Sequence, residues 1–399
     1  MVALVEGLTL LAAGLASLFM AWSIGAGSSG STPFAPAVGA NAISIMRAGF
    51  IVGILGLAGA TLQGANVTEA VGQELIQGAV LSPTASTIGL LIAAGLVAIG
   101  VFTGYPIATA FTVTGAVIGV GLAMGGDPAW GKYGEIGALW LLTPVFGGGI
   151  AFSIAHLLEW EALPAPVSVP VLGGFVGVIV ANIEFSVLGA SGEAVSITET
   201  SSPVIAGATG VAGWAVVALI SVGVAGAVAL LLFYDLRRDA TGAQRRFLLV
   251  LGGLVAFSAG GSQVGLAIGP LLPLLGTVSA DLPLTSILFG GGLGLLVGSW
   301  TGAPRMIKAL SQDYSSLSPE RSIAALIPSF VIAQTAVFFG IPVSFNEIIV
   351  SAIVGSGYAG SKSAVSRQKM LLTALAWVGS FAAAFALSYG IYLAVTALT

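Results

Sequence analysis

Residues 340–357 read Gly340-Ile341-Pro342-Val343-Ser344-Phe345-Asn346-Glu347-Ile348-Ile349-Val350-Ser351-Ala352-Ile353-Val354-Gly355-Ser356-Gly357, and residues 104–121 carry the same skeleton. Gly104, Pro106, Ala116, Gly119 and Gly121 return as Gly340, Pro342, Ala352, Gly355 and Gly357, a constant offset of 236. A second pair of stretches matches at an offset of 234: Gly27-Ser28 with Gly261-Ser262, and Pro36 with Pro270. Glycine is common here, so a single identity carries little weight. Two ordered blocks at nearly one offset indicate a duplicated architecture.

The setting of these blocks is lipid. Of 399 residues only 28 are charged, 12 Lys and Arg and 16 Asp and Glu, whereas 57% are hydrophobic and the mean hydropathy is +1.06. A soluble domain carries about 25% charged residues. So few charges cannot cover the exterior of a soluble fold, and the chain is expected to be an all-α polytopic membrane protein. The absence of cysteine excludes disulfides, thiolate metal sites and cysteine nucleophiles. The lone histidine, His156, sits at what reads as a helix end. A net charge of −4 without a basic patch argues against a nucleic-acid partner. Nothing in the sequence forms a nucleophile–base pair or a metal cluster, so an enzyme is not expected.

A helix needs about 20 apolar residues to cross the bilayer core. Twelve stretches are plausible spans, several of them short or glycine-rich: 7–24, 44–64, 86–104, 105–124, 135–158, 167–182, 213–234, 247–258, 284–300, 322–340, 341–359 and 370–396. The first positive residue is Arg47, so 7–24 reads as a retained span rather than a cleaved signal. Positive charge gathers in 235–246 (Arg237, Arg238, Arg245, Arg246), in 301–321 and in 360–369, where Lys362 lies. These segments are expected on the cytoplasmic side. The loop 183–205, with Glu184, Glu193 and Glu199 but no Lys or Arg, is placed outside, as is the C-terminus.

Two stretches, 25–41 and 259–276, are too polar to span and too uncharged to be ordinary loops, and both are read as broken re-entrant hairpins. Seven expected crossings separate them, an odd number that inverts the second relative to the first. The division expected is a single transmembrane domain, with 1–182 and 247–399 as repeat halves and 183–246 connecting them. Inverted repeats with interrupted segments at equivalent positions mark secondary transporters, with substrate held near the midplane.

An interrupted helix exposes unpaired N–H groups and a positive dipole end. Ser28, Ser29, Ser31 and Thr32 in the first stretch, with Gly261, Ser262 and Gln263 in the second, supply small hydroxyl and amide donors suited to a tetrahedral oxyanion. The alternative for the serines and glycines is close helix packing. The glycine-proline blocks add Thr109 and Ser344, and also Asn346 and Glu347. Glu347 is the one ionisable residue of its run, a cation ligand or proton carrier by default; the alternative is an interfacial carboxylate.

These residues resemble the inorganic phosphate transporter (PiT) family, which includes sulfate permeases and carries a duplicated G-A-N-D-V-A-N-A signature and a duplicated G-x-P-V-S-T-T-H block. Phe257 through Pro270 resembles the second signature, with Ser262 at the Asn and Gln263 at the Asp. Trp22 through Gly39 resembles the first with one inserted residue, placing Ser28 and Ser29 at the Asn and Asp and Thr32 at the later Asn. Gln63-Gly64-Ala65-Asn66-Val67-Thr68-Glu69 is similar to the family's G-G-N-V-T-E. Gly104–Thr109 and Gly340–Glu347 resemble the other block, with Thr109 and Ser344 kept and Phe111 and Glu347 at the two His positions.

The resemblance implies a phosphate symporter working by alternating access, with the anion between the repeats and sodium or protons as coupling ion. Both signature aspartates are replaced by neutral Ser29 and Gln263. Sulfate needs donors only, whereas protonated phosphate benefits from an acceptor. A sulfate permease is therefore the alternative within the family, and a passive anion channel the alternative from another class. Asn346 and Glu347 are the coupling candidates. No resident cofactor or metal is expected. The expected partners are the oxyanion and the bilayer, with a homodimer as the candidate assembly.

Overall fold

The computed structural model describes residues 2–189, 194–275, 283–360 and 365–398; Glu193 and Lys362 lie outside the described residues. The fold is all-α apart from two-residue strand pairs. The first run comprises α1 (Val2–Gly27), α2 (Ala35–Gly39), α3 (Ile45–Gln63), α4 (Ala65–Gln73), α5 (Pro83–Thr103), α6 (Thr109–Ala123) and α7 (Trp130–Glu159). Three helices follow: α8 (Ala165–Ala181), α9 (Ile197–Thr209) and α10 (Gly213–Arg238). The last run is α11 (Ala240–Ile268), α12 (Leu272–Leu275), α13 (Leu284–Thr301), α14 (Ala303–Gln312), α15 (Pro319–Phe338), α16 (Phe345–Gly360) and α17 (Arg367–Leu398). Among the described residues, nine helices are long and apolar enough to cross a membrane, and α6 and α8 are shorter apolar helices.

The two seven-helix runs pack as an interchanged pair. Helix α1 lies on α13 while α11 lies on α3; α6 lies on α17 while α16 lies on α7. Direction follows from the close approaches. Gly53 of α3 meets Trp300 and Leu296 of α13, and Gly292 of α13 meets Leu57 of α3, so these equivalent helices run antiparallel. The second run is thus inverted relative to the first. In lipid no hydrophobic force drives helices together, so small residues that admit close backbone approach must supply the contact. A Cβ added at Gly298 would meet the Trp22 carbonyl, and one at Gly355 the Gly148 carbonyl.

Two interruptions sit at equivalent places. Helix α5 ends at Gly104, whose φ of +74° is a left-handed conformation that favours glycine, and residues 104–108 are unwound before α6. Gly340, with φ +61°, follows α15 in the same way, and residues 341–344 are unwound before α16. The inversion also places equivalent ion pairs in the two halves: Lys132–Glu74 at 2.7 Å and Lys369–Asp313 at 3.1 Å.

Three expectations are corrected. The first polar stretch is broken as read, with turns at residues 28–34 between α1 and α2. The second breaks later than its glycines suggest: α11 continues through Ile268, and a 3₁₀ turn (Gly269–Leu271) then separates it from α12. Its glycines serve packing, since a Cβ at Gly260 would strike the Gly56 carbonyl of α3. The arginine-rich segment 235–246 is not a loop, because α10 runs to Arg238 and α11 starts at Ala240, where the Asp239 side chain accepts from Gly242 N at 3.0 Å. The segment 183–205 contains a strand pair, β1 (Glu184–Phe185) with β2 (Val195–Ser196), and most of α9, whose first turn carries a Ser196/Glu199 capping box.

Candidate functional site

The residues that begin and flank the unwound stretches meet at the centre of the molecule. Thr109 opens α6, Ser28 follows the last turn of α1, and Gln263 projects from α11; all three are fully buried. The Thr109 hydroxyl donates to Gln263 Oε1 at 2.7 Å, and the Ser28 hydroxyl donates to the same oxygen at 3.1 Å. Thr109 Oγ1 also lies 3.4 Å from Ser28 Oγ. Gln263 Nε2 donates to the Val343 carbonyl at 2.6 Å, in the unwound stretch before α16. Three polar side chains from both halves thus form one neutral cluster, anchored to the backbone of the second interruption.

Asn346 ties the centre from the other direction. Its Nδ2 donates to the Gly27 carbonyl at 2.8 Å and to the Ile107 carbonyl at 2.7 Å, holding the end of α1 to the first unwound stretch. Its Oδ1 is buried without a partner, as are Ser262 Oγ, Ser344 Oγ and Glu347 Oε2. Unpartnered buried polar atoms are uncommon and call for an explanation. Four of them occur on α11, on the second unwound stretch and in the first turn of α16.

The remaining sequence candidates divide. Ser31 and Thr32 hydroxyls donate to the Ser28 carbonyl at 3.1 and 3.0 Å, so they shape the turn that presents Ser28. Ser29 is buried beside them. Gly261 does not face the cluster; a Cβ there would press on Gln63 of α3. The amides of Ser262 and Gln263 lie within α11 and are committed to helix bonding, so the free N–H groups expected from a second hairpin are not there. The helix starts that do face the centre belong to α6 and α16, whose first-turn amides have no intrahelical partner.

Two tryptophans escaped the sequence reading. Trp140 Nε1 of α7 donates to the Pro342 carbonyl at 3.1 Å, and Trp377 Nε1 of α17 donates to the Pro106 carbonyl at 2.7 Å. Each half therefore holds the other half's unwound stretch by one indole. The signal was present: Trp140 and Trp377 sit 237 residues apart, nearly the repeat offset. Trp377→Phe is expected to lower thermal stability by about 1–3 kcal/mol, because a buried carbonyl loses its partner while the ring is largely conserved. A melting temperature equal to that of the unaltered chain would count against the clamp.

Inverted halves that interleave around a buried polar centre, with unwound backbone at equivalent places, are an arrangement that membrane transporters use. The comparisons agree. The profile of the phosphate transporter family matches residues 24–388, and the chain belongs to that family. Its relatives include a "Putative phosphate permease" of Chlamydia trachomatis, 27% identical over 95% of this chain and 96% of that one. The chloroplastic inorganic phosphate transporter 2-1 of Arabidopsis thaliana is 25% identical over 91% of this chain and 68% of its own length. A solved structure titled "The sodium-dependent phosphate transporter" has the same fold, with a TM-score of 0.77, 21% identity and coverage of 98% of this chain and 100% of that one. The family is one of transporters, not enzymes.

Proposed function

We propose that the chain is a symporter of inorganic phosphate working by alternating access, with the anion bound between the halves at Ser28, Thr109 and Gln263. The observation that supports this is the convergence of those three neutral, fully buried groups between the starts of α6 and α16. The Ser28 and Thr109 hydroxyls now donate to Gln263 Oε1. Rotated onto an oxyanion, both become donors to it, joined by the unpartnered Ser262 and Ser344 hydroxyls and the first-turn amides. Gln263 Oε1 is then free to accept the proton that phosphate still carries near neutral pH.

Sulfate is the second reading, favoured by the lack of a carboxylate in the cluster. Asn346 Oδ1 and Glu347 are the groups that would sense a coupling sodium ion or proton. In this reading residues 1–182 and 247–399 form the two transport halves, with the arginine-bearing segment 235–246 cytoplasmic and the C-terminus outside.

The deciding experiment is uptake of labelled phosphate and sulfate into proteoliposomes under imposed sodium or proton gradients. Accumulation of phosphate beyond equilibrium is expected. Preferential sulfate accumulation would replace phosphate, and flux that stops at equilibrium would make the protein a channel. Glu347→Gln is expected to change the cation or pH dependence of uptake more than the affinity for the anion. Unchanged coupling in that variant would retire Glu347 from the role.

A further inference from the structure

A cavity that Ser28, Thr109 and Gln263 do not line lies between α7, α16 and α17. Its volume is about 690 Å³, within the range of small-molecule sites, and its walls include Phe111, Trp140, Phe152, Tyr358 and Trp377. Glu347 reaches the same wall. It is 2% exposed, and its Oε2 has no hydrogen-bond partner. No Lys, Arg or His lines the cavity. Both indole N–H groups are spent on the Pro342 and Pro106 carbonyls, so the two indoles offer an occupant carbon surface and π-faces but no donor. The equivalent position in the first half is Phe111, whose ring stacks on Trp140 at 3.8 Å, so the carboxylate occurs once and the site is not duplicated.

We infer that this cavity binds a monovalent organic ammonium ion with a compact apolar body, its nitrogen on the Glu347 carboxylate and its body against the aromatic walls. The inference goes beyond phosphate transport and does not rest on it.

The chemistry selects this class by elimination. An anion would meet a buried carboxylate, with only the Ser351 and Tyr358 hydroxyls as donors and no positive side chain. An apolar guest would fill the volume but leave the carboxylate oxygen buried and unpaired, which is costly. A hard divalent cation needs about six oxygen ligands, and the side chains on this wall offer the carboxylate, the Ser351 hydroxyl and the Tyr358 phenol. An ammonium ion supplies the missing counter-charge and N–H donors, and it gains attraction from the Trp and Phe faces. Because α7 belongs to the first half and α16 and α17 to the second, such a guest bridges the two halves.

The test uses the purified full-length chain with 1-adamantylamine and with 1-adamantanol, which share a shape and differ in charge. Thermal shift and intrinsic tryptophan fluorescence are the readouts, both independent of any transport activity. The amine is expected to bind saturably, with the alcohol at least about tenfold weaker, the factor worth about 1.4 kcal/mol. Glu347→Gln should erase that preference. Val354→Trp, which keeps the carboxylate and fills the cavity, should remove binding of both. Equal binding of amine and alcohol to the unaltered chain, or no amine binding, overturns the inference. So does a preference that survives Glu347→Gln. If that variant fails to fold, Val354→Trp decides, and amine binding retained in it overturns the site. Displacement of the amine by sodium at constant ionic strength would reassign the site to a metal ion.

Discussion

Phosphate affinity is expected to fall about 10- to 100-fold in Gln263→Ala, the largest loss for any single change in the central cluster. Gln263 is fully buried and makes three hydrogen bonds: Ser28 and Thr109 donate to its Oε1, and its Nε2 donates to Val343 O. Truncation strips both hydroxyls of their acceptor and frees the backbone that leads into α16. Leaving a buried polar group unpaired costs about 1–3 kcal/mol, and 1.4 kcal/mol is a tenfold change in affinity. Ser28→Ala and Ser262→Ala remove one hydroxyl each and are expected to have smaller effects of the same sign. Equilibrium binding of labelled phosphate to purified protein measures all three. Normal affinity in Gln263→Ala would remove the cluster as the anion site.

Gly298→Val is expected to cost the fold more than any change in the central cluster. Helix α13 runs parallel to α1, with Gly294 against Leu18 and Ala21 and Gly298 against the Trp22 carbonyl. The obstacle at Gly298 is backbone, which cannot rotate away as a side chain can. The helices must separate, and overpacking of this kind costs about 1–3 kcal/mol or more. The separation also disturbs the indole bond from Trp22 to Thr301 and the end of α1 that presents Ser28. Gly290→Ala in the same helix is the control, since nothing lies within 4 Å of its added Cβ. The expected result is a large loss of melting temperature and of monodisperse protein in Gly298→Val, with Gly290→Ala unaffected. Equal stability of the two variants would refute the close-packing account of α1 and α13.

Most of the apolar helices and the repeat were legible in the sequence because hydropathy and the Gly-x-Pro skeleton are local signals. Of twelve expected spans, however, nine helices among the described residues are long enough to cross, and α6, α8 and α16 are shorter. The place where the second polar stretch breaks was not legible. Ala259-Gly260-Gly261-Ser262 looks like a loop by composition, yet in lipid the same small residues are what a continuous helix uses to approach α3. The break in that stretch comes later, at the 3₁₀ turn Gly269–Leu271, while the unwound residues 341–344 are the counterpart of 104–108 and were marked by their glycine and proline. Of the site, Ser28, Thr109 and Gln263 were singled out by residue type, but their convergence on one oxygen depends on three helices crossing. Trp140 and Trp377 were overlooked because an indole in a membrane helix usually marks an interface, and only the fold shows their N–H groups turned inward. Helix α9 was announced by Ser196 and Glu199, a capping signature set in a segment read as a loop.

The reciprocal indole clamp bears on how the protein is made. Pro106 leaves the ribosome long before Trp377, the residue that will hold its carbonyl, so the first half must enter the membrane with its key segment unsecured. The bond to the Pro106 carbonyl can close only once the last helix, which carries Trp377, is in place. A nascent chain released early would present a half-finished, degradable intermediate, whereas two fragments split between α8 and α10 and synthesised together could still complete each other.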